Sequence, residues 1–231
     1  MKSSIIIKRF SRQIGIWQSL HWFVTCYKEV FAEAPWNEWK KCPVCQKYWG
    51  QKDFDLLASW DFRHCGAGLV DFWPNEQVFN DLNQITEKGS CWLAYDSDNE
   101  DHPLIGFCMG YPISANELEV QLGIKFGAEL RKQLGNHETV AYQDDVGVID
   151  EYRKQGVAKE MVTRRLQDFL GQNLKVGIVR TRELPEASVT FGWYRRLGYI
   201  VLARYPEGDG RVILGRNLDG LSDLLQKRMG A

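Results

Sequence analysis

The sequence predicts a mixed α/β (α+β) sandwich, because two kinds of hydrophobic periodicity alternate along the chain. Apolar residues recur at helical spacing within residues 13–34, 74–87, 156–170 and 185–197. Short apolar runs bounded by polar turns, which are typical of strands, lie between these helical segments. Strands and helices mixed in this order favour a sheet covered by helices.

The first half of the chain supplies three strands, two helices and an insertion without clear periodicity. The two helices carry one-sided apolar stripes, and Pro35 ends the first of them. The predicted elements are a strand at 5–10, a helix at 13–34, an irregular Cys/Trp-rich insertion at 36–73, a helix at 74–87, and hairpin strands at 91–95 and 104–111.

The second half begins with a helical segment and then alternates strands with helices. Gly198 suits the left-handed position that follows a helix end. The predicted elements are a helical insertion at 115–134, a strand at 139–148, a turn at 149–155, a helix at 156–170, a strand at 176–181, a helix at 185–197, and hairpin strands at 199–203 and 212–218.

The composition is that of a soluble globular protein, with 44% hydrophobic and 26% charged residues among 231. The 29 basic and 30 acidic residues give a formal charge of -1, which offers no electrostatic footprint for nucleic acid. No apolar run approaches the roughly 20 residues that span a bilayer. We therefore expect one cytoplasmic domain over residues 1–231 that binds neither nucleic acid nor membranes.

The most informative segment is a buried strand that leads through a basic, glycine-containing turn into a long helix. A helix N-terminus has unpaired N–H groups and a partial positive charge, both of which suit a pyrophosphate. Arg153 and Lys154 add charge there, and Gly156 allows a close approach to the backbone. Many strand–turn–helix units of this kind bind nothing, and this one lacks both the P-loop and the dinucleotide signatures.

The hexapeptide Arg153-Lys154-Gln155-Gly156-Val157-Ala158 resembles the Arg/Gln-x-x-Gly-x-Gly/Ala motif of the GNAT superfamily of N-acetyltransferases. The resemblance implies a mostly antiparallel central sheet flanked by helices. It also implies that the backbone amides of residues 154–158 hold the pyrophosphate of acetyl-CoA. The backbone near Val146 and Val148 would pair with the pantetheine and orient the acetyl carbonyl.

A second segment, residues 191–199, resembles the aromatic-Tyr-x-x-x-Gly-Phe segment of the same family and places Tyr194 where many members keep a general acid. The hairpin at 91–111 resembles the second and third strands of the family, so the resemblance covers roughly residues 90–218. An Asn common before the tyrosine is absent, Tyr199 replaces a Phe, and the insertion at 36–73 has no counterpart in the minimal fold.

The resemblance implies direct transfer of the acetyl group to an amine, with no covalent cysteine intermediate. Tyr194 is the candidate acid for the leaving thiolate, although a helix tyrosine can equally be a core residue. Asp144 or Asp145 is the candidate base. Strand alternation would turn at most one of the two towards the acceptor, and both could instead belong to a solvated strand edge.

The insertion contains a Cys-x-x-Cys knuckle at Cys42 and Cys45, and two thiolates at this spacing can share one tetrahedral Zn²⁺. His64 and Cys65 could complete a structural site. Asp61 or His21 could substitute for one ligand, and a metal-free loop with reduced thiols is an equal alternative. The tryptophans nearby could line an apolar acceptor pocket or fill the core of the insertion; they are Trp36, Trp39, Trp49, Trp60 and Trp73.

Two functions are therefore open at the level of sequence. The first is an acetyl-CoA-dependent N-acetyltransferase that acts on a small-molecule or peptide amine. The second is a GNAT-like module that binds CoA without turnover and uses the cysteine knuckle for partner contact. The sequence leaves the identity of the amine and the oligomeric state open, a homodimer included.

Overall fold

A computed structural model describes residues 4–10, 16–34, 36–53, 55, 62–98, 103–183, 188–208 and 210–220. Several residues named in the predictions lie outside these ranges, namely Pro35, Trp60 and Asp61. The start of the helix predicted at 185–197 lies outside them as well.

Thirteen strands lie in the part of the chain that the structure describes. Six of the eight strands outside the insertion match predicted strands closely, and the other two divide the strand predicted at 139–148. The strands are β1 Ile5–Arg9, β2 Lys40–Lys41, β3 Tyr48–Trp49, β4 Arg63–His64, β5 Ala67–Gly68, β6 Val70–Asp71, β7 Ser90–Asp96, β8 Leu104–Ser114, β9 Thr139–Tyr142, β10 Val146–Val148, β11 Val176–Arg182, β12 Ile200–Arg204 and β13 Arg211–Asn217.

The same ranges contain six α-helices and two short 3₁₀ helices, at Gln51–Asp53 and Asp150–Tyr152. None of the described helices has the length and apolar character needed to cross a membrane. The α-helices are α1 Ile16–Ala32, α2 Asn75–Lys88, α3 Ala115–Leu122, α4 Gly127–Leu134, α5 Val157–Gly171 and α6 Ser188–Arg196.

The main sheet has eight strands in the order β1-β7-β8-β9-β11-β13-β12, and β10 pairs with β8 beside this path. The pairs β8–β9, β11–β13 and β12–β13 are antiparallel, whereas β9 and β11 are parallel. This mixed, mostly antiparallel sheet with helices confirms the predicted fold class. The insertion adds a three-stranded sheet, β3-β2-β6, and the two-stranded hairpin β4-β5.

The chain forms two compact units. The first comprises Met1–Glu87, Leu93–Phe107 and Val146–Ala158. Its core is aromatic: the ring of Phe107 lies 5.5 Å from Phe23 and 5.2 Å from Tyr27. Gly147 of β10 lies so close to Phe107 and Val30 that an added Cβ would come within 2.6 Å of both side chains.

The second unit comprises Lys88–Trp92, Cys108–Asp145 and Lys159–Ala231. Its core is formed by buried apolar residues of the helices α3 and α4 and of the strands around β11, among them Leu118, Leu130, Tyr142, Ile178 and Ile213. The cysteines Cys26, Cys91 and Cys108 are all buried.

The helical insertion predicted over residues 115–134 is present and forms two helices. Gly123 adopts a left-handed conformation (φ 67°) and its N–H bonds to the carbonyls of Glu119 and Val120, which ends α3. The Glu119 carboxylate then accepts the N–H groups of Phe126 and Gly127, at 2.6 and 2.7 Å, and so caps the start of α4.

The predicted strand at 139–148 is interrupted at residues 143–145, which separate β9 from β10. Gln143 still donates its N–H to the carbonyl of Ile178, and the carbonyl of Asp145 accepts the N–H of Met109. The guanidinium of Arg165 on α5 donates to the carbonyls of Asp145 and Met109. These hydrogen bonds satisfy backbone carbonyls at the interruption. The interruption is therefore stabilised by a side chain of another element, the helix α5.

Candidate active site

The turn between β10 and α5 is held in one conformation by contacts within the first unit. Arg153 donates from Nε to the carbonyl of Val148 at 3.0 Å and pairs with Asp150 at 2.8 Å. Tyr152 donates its hydroxyl proton to the buried Asp96 carboxylate at 2.7 Å. This hydrogen bond raises the pKa of Tyr152 to about 12, so the phenol stays protonated and the anchor persists at neutral pH.

The backbone of this turn has the shape expected of an anion site. Lys154 and Gly156 both have positive φ, at 62° and 87°. No atom lies within 4 Å of the position that a Cβ on Gly156 would occupy, so the space beside this glycine is open. The first N–H groups of α5, which begins at Val157, have no acceptor within the helix. The predicted pyrophosphate residues 153–158 are thus brought together on one open turn.

The strand β10 offers a second feature suited to a ligand with amide groups. It pairs with β8, and the N–H of Ile149 just beyond it bonds to the carbonyl of Ile105. Among the described strands β10 pairs with β8 alone, so its second edge can pair with an extended ligand, apart from the Val148 carbonyl, which accepts a hydrogen bond from Arg153. Val146 and Val148 lie on this strand, as the prediction for the pantetheine requires.

Tyr194, the candidate acid, lies on α6 in the second unit and is 1% exposed. Its ring contacts those of Trp193 and Tyr199, at centroid distances of 5.1 and 5.0 Å. Burial raises the pKa of Tyr194, even though the neighbouring Arg165 guanidinium acts in the opposite direction. The hydroxyl group is therefore a protonated donor at neutral pH.

Arg165 is a functional candidate that the sequence analysis did not identify. The side chain is fully buried on α5, and it donates to the Met109 carbonyl at 2.6 Å and to the Gln143 amide oxygen at 3.0 Å. Gln143 in turn donates to the Tyr199 hydroxyl at 2.5 Å. Arg165 also interacts with the Tyr194 hydroxyl. A buried cation thus sits beside the candidate acid, in a network that reaches the interruption before β10.

Arg165 could have been found from its spacing. The apolar stripe of the helix places Ala158, Met161, Val162 and Phe169 on one face, and position 165 falls on the same face. A charge on an apolar face is buried with partners or is functional, and here it is buried with partners.

Asp144 and Asp145, the candidate bases, lie in the interruption between β9 and β10 and are half-buried. Because this segment is not a continuous strand, strand alternation does not determine which side chain points where. Both carboxylates lie within electrostatic range of Arg180 and Tyr142, and Asp145 also interacts with Tyr194. The second unit therefore holds both candidate bases together with the candidate acid.

Residues 20–199 match the model of the Acetyltransferase (GNAT) family. The chain belongs to this family. No curated protein matches the sequence. The GNAT match includes the turn at 153–158 and Tyr194, and it spans the insertion at 36–73 as well.

Solved structures of the GNAT fold are similar to this chain at low sequence identity. NAA60 of Arabidopsis thaliana in complex with a bisubstrate analogue is 14% identical, with a TM-score of 0.55 over 93% of this chain and 98% of that chain. The NatC complex bound to Gag peptide and CoA is 14% identical, with a TM-score of 0.54 over 93% and 98%. The PaiA N-acetyltransferase from Thermoplasma acidophilum in complex with coenzyme A is 13% identical, with a TM-score of 0.51 over 93% and 99%. At such identities the likeness shows the fold alone.

The cysteine-rich insertion of this GNAT chain brings its four predicted ligands together. The donor atoms of Cys42, Cys45, His64 and Cys65 all lie within 4.8 Å of one another. The alternative ligand His21 is exposed on α1 and is not part of this group. All four residues belong to the first unit.

Three tryptophans of the insertion, Trp36, Trp49 and Trp73, pack against other aromatic side chains. Trp49 is 7% exposed and lies 5.2 Å from the His64 ring. Trp73 lies 5.5 Å from Tyr27, and Trp36 lies 5.9 Å from Phe31. These contacts favour the interpretation that they fill the core of the insertion and attach it to α1.

Proposed function

We propose that the protein transfers an acetyl group from acetyl-CoA directly to a primary amine of a small molecule or peptide. The observation that supports this most strongly is the open turn at Gly156, with its positive φ and empty flank at the start of α5. Family membership supports acetyl-CoA as the donor. A peptide acceptor is supported by the similarity to NatC, whose solved complex contains a peptide.

On the donor side, the amides of residues 154–158 and the start of α5 hold the pyrophosphate. The side chain of Arg153 is occupied by Val148 and Asp150, so its role is to fix the turn. The second edge of β10 pairs with the amide groups of the pantetheine. A backbone N–H of this strand then polarises the thioester carbonyl.

On the acceptor side, a protonated amine must lose a proton before it can attack. Asp144 or Asp145 removes it, directly or through a water. The neutral nitrogen forms a bond to the acetyl carbon, the carbon–sulfur bond breaks, and the electron pair leaves on the CoA sulfur. Tyr194 donates its proton to that thiolate, and the excess proton on the newly bonded nitrogen leaves through water and restores the phenol. Holding the reactants together supplies much of the rate.

The donor site is tested by calorimetry with acetyl-CoA on Gly156→Leu. The leucine fills the open flank and also strains the backbone, since a side chain at positive φ costs about 1–2 kcal/mol. Gly208→Leu is the matched control, because Gly208 also has a positive φ (69°) and no atom within 4 Å. We expect Gly156→Leu to weaken binding by about tenfold or more, equivalent to about 1.4 kcal/mol, and Gly208→Leu to leave it unchanged.

A truncated donor distinguishes the contribution of the pyrophosphate to affinity from that of the rest of the ligand. S-acetylpantetheine keeps the thioester and amides but lacks the pyrophosphate. It should bind weakly and with equal affinity to the wild-type protein and to Gly156→Leu. Equal loss of both ligands in Gly156→Leu would show that the leucine disturbs the strand and not the anion site.

Turnover separates an enzyme from a module that only binds CoA. Release of free CoA is measured with a panel of diamines, amino sugars and peptides with free N-termini, and the acetylated product is identified by mass. Amine-dependent release supports the proposal. Tight acetyl-CoA binding with no acceptor-dependent release across the panel would favour the binding module instead.

A further inference from the structure

The insertion contains two turns that place four metal-binding side chains against each other. Cys42 and Cys45 lie in the turn between β2 and β3, and His64 and Cys65 lie at the turn between β4 and β5. These two turns belong to different sheets and are about 20 residues apart in sequence, a spacing within the range of structural zinc sites. Their three sulfurs and one imidazole nitrogen converge within 4.8 Å.

Two of the distances between donor atoms are close to those around one tetrahedral ion. With Zn–S bonds of about 2.3 Å and a Zn–N bond of about 2.0–2.1 Å, tetrahedral geometry sets S···S near 3.8 Å and S···N near 3.6 Å. The His64 Nδ1 atom lies 3.4 Å from the Cys45 sulfur and 3.3 Å from the Cys65 sulfur. One ring nitrogen cannot serve two thiols with a single proton or lone pair, whereas one metal ion satisfies all the donors.

The backbone around the cluster is also arranged for thiolates. The N–H of Val44 points to the Cys42 sulfur at 3.4 Å, and the N–H of Gln46 closes the turn on the Cys42 carbonyl. Gln46 and Cys65 have positive φ, at 61° and 53°, although neither is glycine. Such conformations cost about 1–3 kcal/mol each unless the surroundings hold them. Bonds from a metal to Cys45 and Cys65 would hold both turns.

The charge of the segment is consistent with a metal–thiolate centre. Three thiolates, one neutral imidazole and Zn²⁺ carry a net charge of about -1. Basic side chains lie within two residues of the ligands on both turns, and they are Lys40, Lys41, Lys47 and Arg63.

The described part of the insertion has short strands and few fully buried apolar side chains. Each of its strands is two residues long, and among its described residues only Cys42 and Trp49 are buried hydrophobics. Folding units below about 40 residues usually need a disulfide, a metal or a partner. The described cysteines are free thiols, so a disulfide does not meet this need.

We propose that Cys42, Cys45, His64 and Cys65 bind one Zn²⁺ ion, which joins the two turns and stabilises the insertion. The ligand set is complete, with no position open for substrate, so the ion is structural. Soft sulfur donors and a nitrogen in tetrahedral geometry select zinc over magnesium or calcium.

The proposed metal also stabilises the attachment of the insertion to α1, through contacts inside the first unit. The N–H of Glu38 bonds to the Phe31 carbonyl at the end of α1. Asp71 on β6 pairs with Lys28 of α1 at 2.7 Å and also bonds to Lys40 of β2. Loss of the metal therefore loosens the strands that attach the insertion to this helix.

The first test is metal content of the full-length protein, purified under reducing conditions and analysed by elemental mass spectrometry. We expect about one zinc per chain. Cys26→Ala, which removes a buried thiol outside the cluster, should keep the metal, and Cys45→Ser should lose it. Less than a tenth of an equivalent in the wild-type protein, or an intact mass showing a Cys45–Cys65 disulfide, would overturn the proposal.

Cobalt substitution gives a readout that does not depend on whether a ligand variant folds. Apo-protein that takes up Co²⁺ should show the visible bands of a tetrahedral ion and a thiolate charge-transfer band. Cys65→His replaces one sulfur by nitrogen, so it should keep cobalt with about a third of the charge-transfer intensity lost. Bands of octahedral type, or a spectrum that Cys65→His leaves unchanged, would contradict the assigned ligands.

Trypsin reports on the structural role, because the insertion carries five basic cleavage sites, at Lys40, Lys41, Lys47, Lys52 and Arg63. Cleavage there should be slow with zinc bound and at least about tenfold faster after chelation, since proteolysis follows the population of the opened segment. Equal rates with and without the metal would show that the ion does not stabilise the insertion.

Discussion

At the scale of single residues, the protonated state of the buried Tyr194 predicts how its replacement changes kcat. Because burial raises its pKa, the phenol is protonated at neutral pH and loses its proton only above the usual range of tyrosine. We expect Tyr194→Phe to lower kcat by about 10²-fold, the lower end of the range for a general acid, with little change in KM for acetyl-CoA. Steady-state kinetics over a pH series measures both effects.

The control for Tyr194 is Tyr199→Phe, a second fully buried tyrosine whose ring lies 5.0 Å away. Tyr199 accepts a hydrogen bond from Gln143, so its loss should lower stability and leave kcat within about twofold. If both variants lose activity equally, or if Tyr194→Phe keeps full kcat, the tyrosine is a core residue.

The buried hydrogen bonds of Arg165 predict that its replacement lowers stability. Its neighbour in sequence, Arg164, provides a matched comparison. Arg165→Met leaves the carbonyl of Met109 and the amide oxygen of Gln143 without this donor, at about 1–3 kcal/mol each. Arg164 is partly exposed, pairs with Glu160, and lies over the Trp92 ring at 5.1 Å. Arg164→Met should therefore cost about 1 kcal/mol or less.

Urea unfolding measures both arginine variants. The expected order is a loss of about 3 kcal/mol for Arg165→Met and a much smaller loss for Arg164→Met. Equal losses would mean that the buried network contributes no more than an exposed ion pair.

At the scale of elements, Glu119 connects α3 to α4, and its ionisation predicts how the free energy of unfolding depends on pH. Burial opposes its ionisation, but the N–H groups of Gly127 and Phe126 outweigh that effect and place the pKa below its ordinary value. A carboxyl with a lowered pKa in the folded state adds stability above its unfolded pKa of about 4.3. That contribution is lost as the pH falls through the lower folded value.

Glu119→Gln should reduce the free energy of unfolding by about 1–2 kcal/mol at neutral pH, a typical value for a helix cap. The difference between the variant and the wild-type protein should shrink as the pH falls through the lowered pKa of folded Glu119, below which both side chains are neutral. Glu117→Gln in the exposed capping box of α3 is the control, with an effect of about 0.5 kcal/mol. A difference that grows on acidification would contradict the assigned role.

At the scale of the whole molecule, the features predicted correctly were those that local sequence determines. The turn at 153–158 and the hairpin strands β7 and β8 depend on glycine positions and short apolar runs. The interruption at 143–145 could not be predicted, because it depends on Arg165, which comes from a helix 20 residues further on. The cap that Glu119 places on α4 is likewise a contact between two elements.

The cysteine insertion shows the same division between local and distant signals. Cys42 and Cys45 were recognisable as a pair because a knuckle is a local feature. His64 and Cys65 became candidates only through spacing, and their choice over Asp61 depended on how two turns meet in space. The sequence also gave no sign that residues 40–71 form strands, since two-residue strands have no periodicity to detect.

The proposed donor makes a prediction about global stability. A ligand that binds only the folded chain raises the free energy of unfolding by about 2.7 kcal/mol at 100 times its Kd. For a chain of this size that corresponds to a rise in Tm of about 5–11 °C. Thermal unfolding with acetyl-CoA should show this rise in the wild-type protein and in Gly208→Leu, and at most about half of it in Gly156→Leu, whose affinity is at least about tenfold lower. Both leucine variants start from a lower Tm because each carries a side chain at positive φ, so the shift caused by the ligand, and not the starting Tm, reports on the site. If acetyl-CoA left the Tm of the wild-type protein unchanged, the donor site proposed at Gly156 would be contradicted.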